Sequence, residues 1–143
     1  MELIRDKMYT REEVHDILAP ETNFTKNSGT WGLHGIVRIS NTDDFVFFST
    51  EGAQQGDHKF DESITKEGVL SWQSQPRHHL ESKVIQTLIH HNELVNNIYF
   101  FWRKTKKDKY IYLGRLAYIS HDPYKECPVY FKWQIIDWEK NDI

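Results

Sequence analysis

Two stretches in the first half of the chain run apolar almost without a break, Ile36-Val37-Arg38-Ile39 and Phe45-Val46-Phe47-Phe48. The residues between them, Ser40-Asn41-Thr42-Asp43-Asp44, have the composition of a turn, so a pair of strands joined as a hairpin is predicted. Upstream, Thr10 and Glu13 have the spacing of a capping box, and Val14, Ile17 and Leu18 make one apolar stripe. A short helix over residues 11–18 follows, ended by Pro20, because proline disfavours helical geometry in the residue before it. Between that helix and the hairpin the chain is polar and glycine-bearing, and residues 21–35 read as a loop.

A long polar loop is expected from Glu51 to Gly68, then a strand from Val69 to Ser74 carrying Trp72. Pro76 suits a first helical residue, and Leu80, Val84, Ile85, Leu88 and Ile89 recur at helical spacing, predicting an amphipathic helix from Pro76 to near Asn92. Strands follow at Ile98 to Trp102, Tyr110 to Ile119 and Val129 to Trp138. In the second of these, Tyr110, Tyr112, Leu116 and Tyr118 share one face with Gly114, and Ile111, Leu113, Ala117 and Ile119 share the other with Arg115. The sum is an α+β, mainly β chain of one domain over residues 1–143. Its expected form is a closed or partly open pseudobarrel of about six to seven strands with two flanking helices, its core spanning about residues 25–138.

Composition supports strands. Hydrophobic residues are 38% of the chain, yet aromatic ones alone are 14%, and aromatic side chains suit a pleated, half-buried surface. The formal net charge of -3 gives no broad cationic field, so any binding of nucleic acid must rest on local basic loops and specific contacts. With Cys127 as the only cysteine, no internal disulfide and no all-thiolate zinc site can form. No apolar run approaches the ~20 residues needed to span a bilayer, and a cytoplasmic, membrane-free setting is expected.

Gly29-Thr30-Trp31-Gly32-Leu33-His34-Gly35-Ile36-Val37, then Asp44 to Phe48, then Trp72-Gln73-Ser74-Gln75, then Tyr112-Leu113-Gly114 occur in an order that resembles a known family. It is similar to a domain of unknown function at the end of bacterial proteins that join a phospholipase-D-type nuclease to a superfamily II helicase. The resemblance covers roughly Thr25 to Trp138. It implies a pseudobarrel similar to the SRA, PUA and plant transcription-factor pseudobarrels. It also implies a target-recognition role in a restriction enzyme, with the nuclease and helicase parts elsewhere in the same chain or complex.

The residues offer matching chemistry. Thr30, Trp31 and His34 lie on the glycine-tryptophan segment, where a ring held by small residues could stack on a base or merely cap the barrel. Trp72, Gln73, Ser74, Gln75 and Arg77 cluster between strand and helix. A glutamine there can pair with a base edge or can cap the helix. Gln54 and Gln55 sit in the long loop. Arg103, Lys104, Lys106 and Lys107 flank one turn with Lys109 and could hold phosphates or guard a solvated hairpin. Arg115, alone on an aliphatic face, either pairs with a buried carboxylate or projects into a cavity.

Catalysis is not expected. Glu81-Ser82-Lys83 matches a glutamate-x-lysine nuclease fragment, but its carboxylates would have to converge on a metal from a strand pair, and Glu81 reads as helical. Neither a cofactor nor a metal is expected: His78-His79 and His90-His91 fall near opposite ends of one helix, and His58 with Asp57 and Asp61 makes only a loose cluster. The reading is a duplex-DNA-binding specificity module, reading sequence or a modified base by groove contact or base flipping. Its rivals are a PUA-type RNA-binding module and a protein-interaction domain of a larger nuclease or helicase.

Overall fold

The computed structural model describes residues 2–139. Its elements in chain order are β1 (Met8–Tyr9), α1 (Arg11–Leu18), α2 (Gly29–Leu33), β2 (Ile36–Arg38), β3 (Phe45–Thr50), β4 (Gln54–Gln55), β5 (His58–Lys59), β6 (Ser63–Ile64), β7 (Val69–Gln73), α3 (Lys83–Ile89), β8 (Ile98–Arg103), β9 (Tyr110–His121) and β10 (Tyr130–Ile135). One sheet runs β2-β3-β8-β9-β10-β7-β6, with β1 added alongside β9. Strands β4 and β5 make a separate hairpin. The end strands β2 and β6 are not paired with each other, so the barrel is partly open.

The Phe-Val-Phe-Phe run of β3 is buried on both faces, and its partner explains why. It pairs in parallel with β8, from Phe45 opposite Ile98 to Thr50 opposite Arg103. A parallel pair needs a long crossover, here the chain from 51 to 97, and is normally covered on both sides. Phe45, Phe47, Ile98 and Phe100 face one cluster with Leu70, Trp72, Phe131, Trp133 and the α3 residues Ile85 and Leu88. Val46, Phe48 and Phe101 face the other with Tyr9, Val14, Val37, Tyr110 and Tyr112. Thus α1 and the N-terminal segment cover one face, while the curled second half of the sheet and α3 cover the other.

The 12-residue strand β9 serves both halves. Its start pairs with β1 and its end with β10. Against β8 the register jumps between Phe100–Gly114 and Phe101–Tyr112, which leaves Leu113 as an extra, bulged residue. Gly114 takes φ +128 there, a conformation closed to ordinary side chains. The bulge breaks the simple alternation expected from sequence: Tyr110 and Tyr112 stay in one cluster, while Leu113 and Leu116 both enter the other.

Three further expectations change. The helix predicted from Pro76 begins only at Lys83, with Ser82 as its N-cap. Residues 76–82 are instead held as turns, His78 N–H to Gln75 O and Ser82 N–H to His79 O, and Leu80 N–H reaches Glu126 Oε1 across the fold. Arg77 and Glu81 therefore lie outside the helix. The expected loop at 21–35 contains α2, and the loop at 51–68 contains β4, β5 and β6. By contrast α1 forms as predicted: Thr10 Oγ1 accepts from Glu13 N–H and Glu13 Oε1 accepts from Thr10 N–H.

Candidate nucleic-acid interface

Strand β7 ends at Gln73, opposite Tyr130 of β10. Along β7, Leu70 and Trp72 turn into the core. Trp72 lies flat on Phe47, ring centroids 4.3 Å apart, and edge-on to Phe131 and Trp133. Gln73 turns the other way but is only 5% exposed. On its far side β6 pairs only as far as Ser71, so the Gln73 N–H runs past the end of that strand. Glu62 Oε2 meets it instead, at 3.2 Å. The Gln73 amide is fixed as well, its Oε1 accepting from His58 Nε2 at 2.6 Å. His58 in turn stands edge-on to Phe60.

The Glu62 carboxyl lies deep although the residue as a whole is only half-buried. Burial pushes its pKa up to about 7, against the opposing pull of the Gln73 N–H and a Ser49 side-chain hydrogen bond. Ser49, Glu62, Gln73 and His58 thus form one polar network linking the end of β3, the β4–β5 hairpin and the end of β7.

Beside Gln73 is a pocket of about 380 Å³, lined by Asp61, Ser71, Trp72, Gln73, Ser120, His121, Asp122, Tyr130, Phe131 and Lys132. It lies where β7, β10 and the end of β9 meet. The His121 ring is held by Tyr118, whose hydroxyl is 2.6 Å from its Nδ1. Asp122 is placed by the β9–β10 hairpin: its N–H donates to Tyr130 O, and its Oδ1 accepts from Tyr124 N–H at 2.8 Å. Rings, an amide and carboxylates around one recess of this size can enclose a planar heterocycle and hydrogen-bond its edge.

The lysine turn stands close to the network along β3. Thr50, next to Ser49, lies opposite Arg103 at the end of β8. Arg103 Nε donates to Thr50 Oγ1 at 2.7 Å, Nη1 donates to Lys106 O, and the guanidinium covers the Tyr110 ring at 4.2 Å. Arg103 is therefore held within the fold. Lys104, Lys106, Lys107 and Lys109 are all exposed beyond it.

The other expected site residues are dispersed. Trp31 is half-buried on α2 and stands edge-on to His15, with Thr30 and His34 exposed beside it. Arg11 lies over the Phe48 ring at 4.3 Å and donates from Nη1 to Trp31 O and His34 O, which ties α2 to α1. Gln54 and Gln55 are exposed on the small hairpin, and Arg77 is exposed on a turn. Ser74 is fully buried, its Oγ accepting from Val129 N–H and donating to Gln75 O. Gln75 is half-buried and its N–H meets His78 Nδ1. Among the described residues Arg115 pairs with no carboxylate: Nη1 donates to Asn97 Oδ1 at 3.0 Å. Sequence reasoning does not single out Glu62, His121, Asp122 or Tyr130 as site residues. Only Tyr130 leaves a signal, as an aromatic on the polar side of the β10 alternation.

Residues 3–137 match the family described as a domain of unknown function, DUF3427. No protein of curated function matches the sequence. Among solved structures the chain is similar to the SUVH5 SRA domain in complex with hemi-methylated CG DNA, at 16% identity and a TM-score of 0.59, covering 96% of this chain and 91% of that one. It is also similar to the same domain bound to methylated CHH DNA, at 14% identity and a TM-score of 0.58, covering 94% and 90%. A third similar structure holds fully hydroxymethylated CG DNA, at 15% identity and a TM-score of 0.57, covering 94% and 89%. At these identities the likeness is one of fold.

Proposed function

The chain belongs to the DUF3427 family, and from that premise we propose that it is a non-catalytic module that binds duplex DNA and reads a modified base. The observation that carries the reading is the pocket beside Gln73, where an amide, the Asp61 and Asp122 carboxylates and the Tyr130 and His121 rings share one recess. A base turned out of the duplex would stack on a ring while its edge meets the amide and a carboxylate. Carboxylates accept hydrogen bonds, so they favour a base with an exocyclic amino group, such as cytosine. The SRA complexes with methylated and hydroxymethylated DNA share this fold and support the choice of a modified cytosine. The exposed lysines of the β8–β9 turn would hold the phosphate backbone, which positions the module without specifying sequence.

In the wider setting we place this module as the reader of a bacterial cytoplasmic restriction system, with nuclease and helicase activities supplied by other domains or chains. The sequence resemblance supports that setting. The test of the core reading is titration of the chain with duplexes identical except for one cytosine, unmodified, 5-methylated or 5-hydroxymethylated, at two salt concentrations. The expected result is a preference of about ten-fold or more for one modified form that survives the rise in salt. Equal affinity for all three duplexes, or stronger binding to single-stranded RNA, overturns it.

A further inference from the structure

The turns that follow β7 and β9 bring together the chain's only cysteine, a histidine and a glutamate. We propose that His79, Glu126 and Cys127 form a binding site for Zn²⁺ that staples the β7–α3 connection to the β9–β10 hairpin. Their ligand atoms all lie within 4.8 Å of one another, on the surface. His79 Nδ1 is 3.2 Å from Glu126 Oε2 and 3.5 Å from Cys127 Sγ. Zinc bonds of ~2.3 Å to sulfur and ~2.05 Å to nitrogen and oxygen, at tetrahedral angles, require ligand separations of about 3.5 Å and about 3.3 Å. The two spacings from His79 are of that size, and the Glu126 and Cys127 ligand atoms lie within 4.8 Å of each other.

The surrounding bonds hold the ligands in place independently of any ion. Cys127 N–H donates to His78 O at 2.8 Å, and Leu80 N–H donates to Glu126 Oε1 at 2.8 Å. One carboxylate oxygen is thereby anchored and the other is turned to His79. The sulfur lies 3.9 Å from Nε2 as well as 3.5 Å from Nδ1, so it sits against the ring. Metal binding would require the exposed imidazole to turn so that a nitrogen lone pair faces the sulfur and the carboxylate. The three ligands leave one tetrahedral position for water. A soft thiolate beside an imidazole selects Zn²⁺ over Mg²⁺ or Ca²⁺. Spacing along the chain could not reveal the set, since His79 and Glu126 are 47 residues apart.

The site does not depend on the DNA-reading proposal. Its test is titration of the full chain with Co²⁺ as a visible probe and then with Zn²⁺, comparing wild type with Cys127→Ser, His79→Ala and Glu126→Gln. One Co²⁺ per chain should give a thiolate-to-metal charge-transfer band, displaced by Zn²⁺ and absent in Cys127→Ser. Each of the other two variants should lose Zn²⁺ affinity by about ten-fold or more. Zn²⁺ should raise the Tm of the wild type and not of Cys127→Ser, with circular dichroism confirming that every variant is folded. A wild-type chain that binds no Co²⁺ or Zn²⁺ at micromolar concentrations overturns the site. So does a charge-transfer band and an affinity unchanged in His79→Ala and Glu126→Gln.

Discussion

His58 Nε2 donates a 2.6 Å hydrogen bond to Gln73 Oε1, and that contact decides which way a buried amide faces. With the carbonyl end taken by His58, the amide can offer its NH₂ end to a ligand in the adjoining pocket. Replacing Gln73 with Ala should lower the preference for a modified over an unmodified duplex by about ten-fold, within the ~1–3 kcal/mol of a specific amide-to-base contact. His58→Ala should lose part of that preference by freeing the amide to rotate. Gln75→Ala should keep it, because Gln75 does not line the pocket. A competition assay on the three variants, with thermal melts as the folding control, measures this. Full discrimination by a folded Gln73→Ala variant would mean that the amide is scaffold.

The exposed lysines should behave differently. Lys106 and Lys107 project from the β8–β9 turn beyond the anchored Arg103. Their replacement by Ala should weaken binding to every duplex alike. It should also flatten the dependence of log Kd on log salt by about one unit for each phosphate that is no longer neutralised. Affinity measured across a salt series distinguishes this from base reading, which would change target preference while leaving the slope as it was.

The helix α1, the β2–β3 hairpin and the strands β7 to β10 could be read from the sequence because each has a local cause: a capping box, a turn composition, or an apolar run. The start of α3 could not. The helical spacing of Leu80 continues the stripe of Val84, Ile85 and Leu88, yet Leu80 N–H is captured by Glu126 from a distant hairpin. The β9 bulge was hidden for a similar reason, since pairing with β8 rather than local preference makes Leu113 the extra residue. At the site, Gln73 stood out because two glutamines so close to a tryptophan are chemically conspicuous. Glu62, Asp122 and His121 have no such marker and acquire their positions only when β3, β7, β9 and β10 curl together.

The glycine-tryptophan segment is predicted to be structural first. A Cβ at Gly32 would fall 2.0 Å from the Thr25 carbonyl oxygen, a backbone atom that cannot step aside. Gly32→Ala should destabilise the fold by about 2–3 kcal/mol, the scale of an overpacked core. Gly29→Ala meets open space and only the strain of φ +71, and should cost about 1 kcal/mol. Arg11→Lys belongs with the first of these, because an ammonium cannot lie flat on Phe48 while reaching the Trp31 and His34 carbonyls. Chemical denaturation of the three variants tests the order. A Gly32→Ala variant as stable as wild type would contradict the close approach.

Glu62 makes the fold's stability depend on pH in a direction that can be worked out. Its carboxyl is raised from 4.5 to about 7 by burial in the folded chain. Between those values the folded state keeps a proton that the unfolded state has released. The stabilising effect is therefore complete below about pH 4.5 and is lost as pH rises through about 7, by about 3 kcal/mol in all. His78 and His91 act in the opposite sense. Burial lowers both, so they favour the folded state more as pH rises through the imidazole range. The raw stability curve mixes these effects, but the difference between wild type and Glu62→Gln removes the histidines. Glutamine keeps an oxygen for the Gln73 N–H and carries no charge, so the variant should gain on wild type steadily from pH 5 to 7 and then hold a constant lead. Urea unfolding of both proteins at half-unit pH steps measures that difference. A difference that stays flat across the window would show that Glu62 ionises in the folded chain as easily as it does in water.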